Sequence, residues 1–217
     1  MNLWLSSCFL LAGLFLSSWA LTPEECRPLI EPLPLTPSMV SGKSHFLLGY
    51  ADHEVYKDIL KNTESYWVNA SVSTSSPDTV DMSTWSKING SCLSVSVKST
   101  MSGNTGTTSF GNIVSEFHLL PTCEGCLLMS INSTATDLDK LLRAMNINVN
   151  ITAEKISIQT LYLMAKETTV KDSDLEQFKQ QASCLGFTGE PNFIYDPKND
   201  FCAEDEGLKM TDDLLHS

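Results

Sequence analysis

The one pair of residues spaced for covalent chemistry is Cys123 and Cys126, in the run Cys123-Glu-Gly-Cys126. Two such thiols can cycle between dithiol and disulfide. A redox enzyme, however, holds one of them as a thiolate at a helix N-terminus, in a βαβ unit. Here the pair lies between the apolar runs Leu119-Leu120 and Leu127-Leu128-Met129, at what reads as a hairpin tip. A structural staple is the stronger reading. A zinc centre needs four ligands at suitable spacing, and only one such pair exists. The four histidines, His45, His53, His118 and His216, are scattered. Neither a metal nor a cofactor is therefore expected. The sequence contains no Gly-x-Ser-x-Gly, P-loop or His-Glu-x-x-His motif. The scattered acidic residues read as a solvated face.

The cysteines carry more information as a set. Leu3 to Leu16 is an apolar core without Lys or Arg in front of it, and Ser18-Trp19-Ala20 fits a small-x-small cleavage rule. A membrane anchor is the other reading, but the apolar run is short for a bilayer span. Residues 1–20 are read as a signal peptide, which implies a secreted, extracellular chain. Its removal takes Cys8 and leaves six cysteines, Cys26, Cys92, Cys123, Cys126, Cys184 and Cys202. An even number in a secreted chain reads as three disulfides. Four sequons, at Asn69, Asn89, Asn132 and Asn150, are then candidate glycan sites and surface positions.

The net charge of −12 argues against nucleic acid and anionic membrane surfaces, which select basic patches. No later apolar run is long enough to cross a membrane. The length suits one domain with a sizeable core. Residues 21–203 are read as that domain and 204–217 as an acidic, loose tail.

Thr22 to Pro37 holds five prolines and reads as an extended arm, tied down through Cys26. A strand follows from Phe46, then a turn or two of helix over His53 to Leu60. Glu64 to Ser73 is the second strand. A glycan on Asn69 must stand outside a barrel, so alternation turns Trp67 and Ser71 out and Tyr66, Val68, Ala70 and Val72 in. Thr79 to Ile88 and Cys92 to Thr100 flank Asn89-Gly90, a strong hairpin signal. Thr107 to Pro121 is one long strand or two short ones, with a bulge at Gly111. Leu138, Leu141, Leu142 and Met145 share a helical stripe, which suits either a lid or a helix packed on the surface. Ile156 to Ala165 is the last barrel strand. Asp172 to Gly186 is the main helix, capped by Asp172 or Ser173, and Asn192 to Tyr195 is a short ninth strand. Short strands at this spacing, followed by one helix, predict an all-β chain. The expected form is an eight-stranded antiparallel up-and-down barrel with one C-terminal α-helix packed outside.

Particular motifs sharpen this. They are Gly42-Lys-Ser44 at the first strand, Cys26-x-x-Leu29…Pro32-Leu-Pro34 in the arm and Asn89-Gly-Ser-Cys92. Further along stand Tyr162-Leu-Met-Ala-Lys-Glu-Thr-Thr169, Cys184-Leu-Gly-Phe187 and Tyr195-Asp-Pro-Lys. Together they resemble the lipocalins, in the branch of alpha-1-acid glycoprotein (orosomucoid) and apolipoprotein M. Thr63-Glu-Ser65, Ser75-Ser-Pro-Asp78, Lys87-Ile-Asn-Gly90 and Ala182-Ser-Cys-Leu-Gly186 resemble more closely the fish lipocalins that bind saxitoxin, tetrodotoxin or tributyltin. The family's Gly-x-Trp tryptophan is replaced by Ser44, so something else must close the barrel floor.

The resemblance implies a non-enzymatic carrier of one small molecule: a toxin, an organotin or a lipophilic compound. A monomer is expected, with an oligomer as the alternative. It pairs Cys26 with Cys184 and Cys92 with Cys202, and leaves Cys123 for Cys126. It implies a cup lined by Phe46, Leu48, Tyr56, Tyr66, Val68, Met82, Thr84, Ile88, Thr160 and Tyr162. Any one of these is at least as readily an ordinary core side chain. Readings from other classes are an isomerase with a thiol inside the barrel and an immunomodulatory glycoprotein without a defined ligand.

Overall fold

The computed structural model describes residues 21–147 and 155–211. The signal segment, residues 1–20, and Asn150 lie outside the described residues, as does the tail beyond Thr211.

The arm departs from expectation. Pro23–Ile30 is a helix, α1, opened by a capping box in which Thr22 and Glu25 satisfy each other's backbone N–H groups. Pro23 costs nothing at the first helical position, where its missing N–H would be unsatisfied anyway. Pro28 comes late enough that the helix ends within three residues. The prolines from Pro32 to Pro37 do run extended, into a single turn, α2 (Pro37–Val40).

The barrel strands are β1 (Gly42–Ala51), β2 (Thr63–Val72), β3 (Thr79–Ile88) and β4 (Ser91–Ser102). They continue with β5 (Thr105–Phe110), β6 (Ile113–Leu120), β7 (Cys126–Thr136) and β8 (Lys155–Ala165). Each pairs with its sequence neighbour, and β8 returns to β1, giving a closed antiparallel up-and-down barrel. The segment from Thr107 to Pro121 is thus two strands, split at a turn where Gly111 takes φ +53°. Helix α3 (Glu54–Asn62) joins β1 to β2, and α4 (Asp139–Ala144) follows β7 at the same end.

Helix α5 (Asp172–Cys184) packs on the outside of the barrel. Its N-cap is Lys171, without a side-chain cap bond, rather than Asp172 or Ser173. Phe178 and Ala182 bury against Leu128, Leu161 and Leu163. Full burial of a side chain such as Phe178 contributes about 1.5–3 kcal/mol. The buried Gln181 amide donates to the carbonyls of Leu29 and Pro121, both at 2.7 Å, and so ties α1 and the β6–β7 loop to α5.

Three disulfides form: Cys26–Cys184, Cys92–Cys202 and Cys123–Cys126. The first two bridge separations of 158 and 110 residues. Loops of that length give roughly 4–5 kcal/mol each in the chain-entropy model, and measured values are often lower.

The chain after α5 wraps back over the barrel. Strand β9 (Phe193–Ile194) pairs with β1 at Leu48 and Gly49, and Phe193 stacks on Phe46 at 4.4 Å. The first part of the acidic tail, residues 204–211, is held against the barrel. Cys202 anchors it, and the stacked indoles of Trp67 and Trp85 donate to the carbonyls of Cys202 and Glu204. Strand β10 (Leu208–Met210) then pairs in parallel with β4. Gly207 permits this approach, because a Cβ there would overlap the Cys92 carbonyl and its φ of +92° disfavours other residues.

Candidate functional site

The barrel encloses a cavity of about 230 Å³. Val40 lies at its floor. From β2 and β3 come Tyr66, Val68, Ala70, Met82 and Thr84, with Val97 beside them on β4. Thr108, Ser109, Phe110, Ile113, Ser115 and Phe117 line it from β5 and β6. Leu127, Met129 and Ile131 come from β7, and Tyr162 and Met164 from β8. Alternation explains the selection: Tyr162 stands opposite Met129, and Val68 opposite Thr84, on inward-facing rungs.

Among the described residues the lining holds hydroxyls and thioethers but no ionisable acid or base other than two phenols. Burial pushes the Tyr66 phenol up to about 12, against a smaller lowering by its hydrogen bond with Thr84. Burial raises Tyr56 to about 12 as well. Tyr162 is shifted further in the same direction, by burial first and by the neighbouring Tyr56 second, while its bond with Thr160 opposes. All three phenols are thus neutral donors across physiological pH. The Ser115 and Ser133 hydroxyls satisfy each other at 2.8 Å.

Both ends of the barrel are closed. At the floor, Leu35 and Val40 pack with Val80, Met101 and Leu119, and Leu33 and Leu35 hydrogen-bond to Leu119 and Gly103. The proline arm therefore closes the end left open by Ser44. At the other end, Leu138, Leu141 and Leu142 pack on Ile88, Leu93, Ala135, Ile156 and Ile158. These are mouth-level residues of β3, β4, β7 and β8, so α4 is a lid rather than a helix on the outer wall. Val55 of α3 and Met210 of β10 complete the plug.

Of the ten expected cup residues, Tyr66, Val68, Met82, Thr84 and Tyr162 line the cavity. Phe46 faces in but is spent on packing, against Phe193, Tyr66 and Tyr162. Thr160 is buried beside Tyr162, and Tyr56 lies between the plug and the interior cluster. Ile88 belongs to the plug. Leu48 faces the wrong way. The register of β1 against β8 shifts between Phe46 and Leu48, so Leu47 and Leu48 both pack outside with Phe178. One extra residue reverses the parity of everything after it. Sequence reasoning missed the wall formed by β5, β6 and β7. Alternation in Ile113, Ser115 and Phe117 was the available signal.

Asn69 and Asn132 are exposed on outward rungs of β2 and β7. Asn89 sits in the β3–β4 turn, and its amide donates to the carbonyls of Met145 and Asn146, just beyond α4. Cys123 and Cys126 are disulfide-bonded to each other and lie off the cavity.

No family model matches the sequence, and no curated protein matches it. Solved structures do. Rat epididymal lipocalin 12 aligns with a TM-score of 0.55 at 12% identity, over 83% of this chain and 98% of that one. The siderocalin Ex-FABP aligns at 0.54 and 10% identity, over 72% and 94%. An odorant-binding protein aligns at 0.51 and 13% identity, over 72% and 90%. A closed eight-stranded up-and-down barrel with a C-terminal helix outside, aligned over nearly the full length of these chains, is the lipocalin fold.

Proposed function

We propose that this chain is a secreted, glycosylated, monomeric carrier that holds one small, neutral, lipophilic molecule inside the barrel, and that it is not an enzyme. The observation that carries this reading is the largely apolar cavity, lined among the described residues by no charged group, with its phenols and thioethers. A volume of about 230 Å³ lies below the roughly 300–1,000 Å³ of sites for drug-sized ligands and above the ~150 Å³ that holds benzene. The occupant is thus a compact molecule, with an oxygen or nitrogen that accepts a hydrogen bond from Tyr66 or Tyr162. Met82, Met129 and Met164 supply a polarizable wall.

Among the ligand classes suggested by the resemblance, a lipophilic compound fits best. A guanidinium toxin would lose its hydration without meeting a carboxylate, a cost of several kcal/mol. One neighbour in the fold is named an odorant-binding protein, which agrees with a small-molecule cargo. A thiol isomerase has no catalytic group here, because the six cysteines among the described residues are all in disulfides. Secretion is supported by those disulfides and by the exposure of the sequons at Asn69, Asn89 and Asn132.

Competition against a neutral fluorescent probe such as N-phenyl-1-naphthylamine tests this reading. Small neutral ethers, ketones and phenols should displace the probe, and an arylguanidinium of equal size should be weaker by about tenfold or more. Preference for the guanidinium would overturn it.

A further inference from the structure

With both ends closed, the cavity must open elsewhere, and the pairing of β4 with β5 shows where. These strands pair only from Ser99–Thr108 to Ser102–Thr105. Toward the mouth they part. Strand β10 takes over the β4 edge there, but only at Leu93 to Val95. Between the Val95–Met210 rung and the Ser99–Thr108 rung, β4 stays paired with β3 but has no strand partner on its other edge among the described residues. That gap is four residue steps, or about 13 Å of strand.

The cavity reaches this gap from both sides. Val97 on β4 and Phe110 on β5 line it, and each is only partly buried. Ser109 lines it too, although it is exposed and paired with Val114, which points to solvent at 56% exposure. The plug residues, by contrast, are closed to water: Ile88 is 2%, Leu142 2% and Met210 3% exposed. Two contacts mark the edge of the gap. The Thr108 hydroxyl donates to the Lys98 carbonyl at 3.1 Å and ties β5 to β4 at its floor-side end. The Lys98 ammonium pairs with Asp81 of β3 at 3.0 Å, on the side away from β5.

We infer that the ligand enters and leaves sideways, through a portal between β4 and β5 bounded by Ser96–Lys98, Ser109 and Phe110 and by the end of β10, and not through the barrel mouth beneath α4. The inference rests on the cavity being the ligand site. Its test is therefore built to give an answer even if no ligand is found.

The experiment places a single new thiol in the cavity, Thr84→Cys, in protein made without glycans, and times its reaction with a small neutral methanethiosulfonate. Every described native cysteine is in a disulfide, so the new thiol reports alone. Adding Ser109→Trp should slow the reaction about tenfold, and Phe110→Ala should speed it several-fold. Asn89→Ala, which frees the carbonyls just beyond the lid helix, should leave it unchanged. Exchange rates of the naphthylamine probe should follow the same order, with Ser109→Trp slowing both the on- and the off-rate. Acceleration by Asn89→Ala, with Ser109→Trp and Phe110→Ala silent, would place entry at the mouth and overturn the portal. Failure of the probe to bind the unmodified protein, with the thiol rates still ordered as stated, would instead overturn the carrier reading and leave the portal standing.

Discussion

At the scale of single residues, the cup was legible wherever alternation held from a fixed point. The sequon at Asn69 set the phase of β2, and Tyr66, Val68 and Ala70 do line the cavity. Leu48 was not legible. Nothing in Phe46-Leu-Leu48 announces the register shift that turns it outward, because a bulge is decided by pairing with a distant strand. The phenols give a test at this scale. Burial holds Tyr66 and Tyr56 at about 12 against an ordinary 10.0, so the unfolded chain releases those protons first. Their contribution to stability is complete below about pH 10 and is lost as pH rises toward about 12. The thermal midpoint should therefore hold steady through neutral pH and fall over that alkaline interval, with tyrosinate absorbance appearing as the protein unfolds. Tyrosinate absorbance rising fully near pH 10 in folded protein would show that these rings are in water.

At the scale of elements, strands and the outer helix were legible from period and punctuation, while α1 was not. The five prolines of the arm outweighed Thr22-Pro-Glu-Glu25, although that run is a capping box with Pro at the first helical position. The start of the tail was misread because its acidic composition says nothing of Met210, which is buried in the plug. Gln181 joins three elements. Its one amide serves two carbonyls, on α1 and on the β6–β7 loop. Gln181→Leu should strand both and cost about 1–3 kcal/mol. The melting temperature should drop by several degrees, and the affinity of a neutral ligand should not change, since α5 lies outside the cup. A stability loss below about 0.5 kcal/mol would mean that water replaces the amide freely.

At the scale of the whole molecule, the sequence foretold a closed barrel but not where it is unsealed. That depends on β4 and β5 parting halfway along, and on β9 and β10 joining the edges of β1 and β4. Such long-range pairings leave no local periodic trace. It also left the cup's polarity open, because that depends on which of the many acidic residues face in, and none of the described ones lines the cavity. The central claim is that one small neutral molecule binds in this uncharged interior. Titration calorimetry of one neutral ligand, on wild type and on Val68→Trp, tests it most directly. Val68 lines the cavity, so the indole fills space that the ligand needs. Wild-type affinity should hold within about twofold from roughly 0.05 to 0.5 M salt, since no charge takes part. Val68→Trp should lose about a hundredfold, or roughly 2.7 kcal/mol, while its circular dichroism stays that of the folded barrel. Affinity that falls steeply with salt, or survives Val68→Trp, would contradict the account.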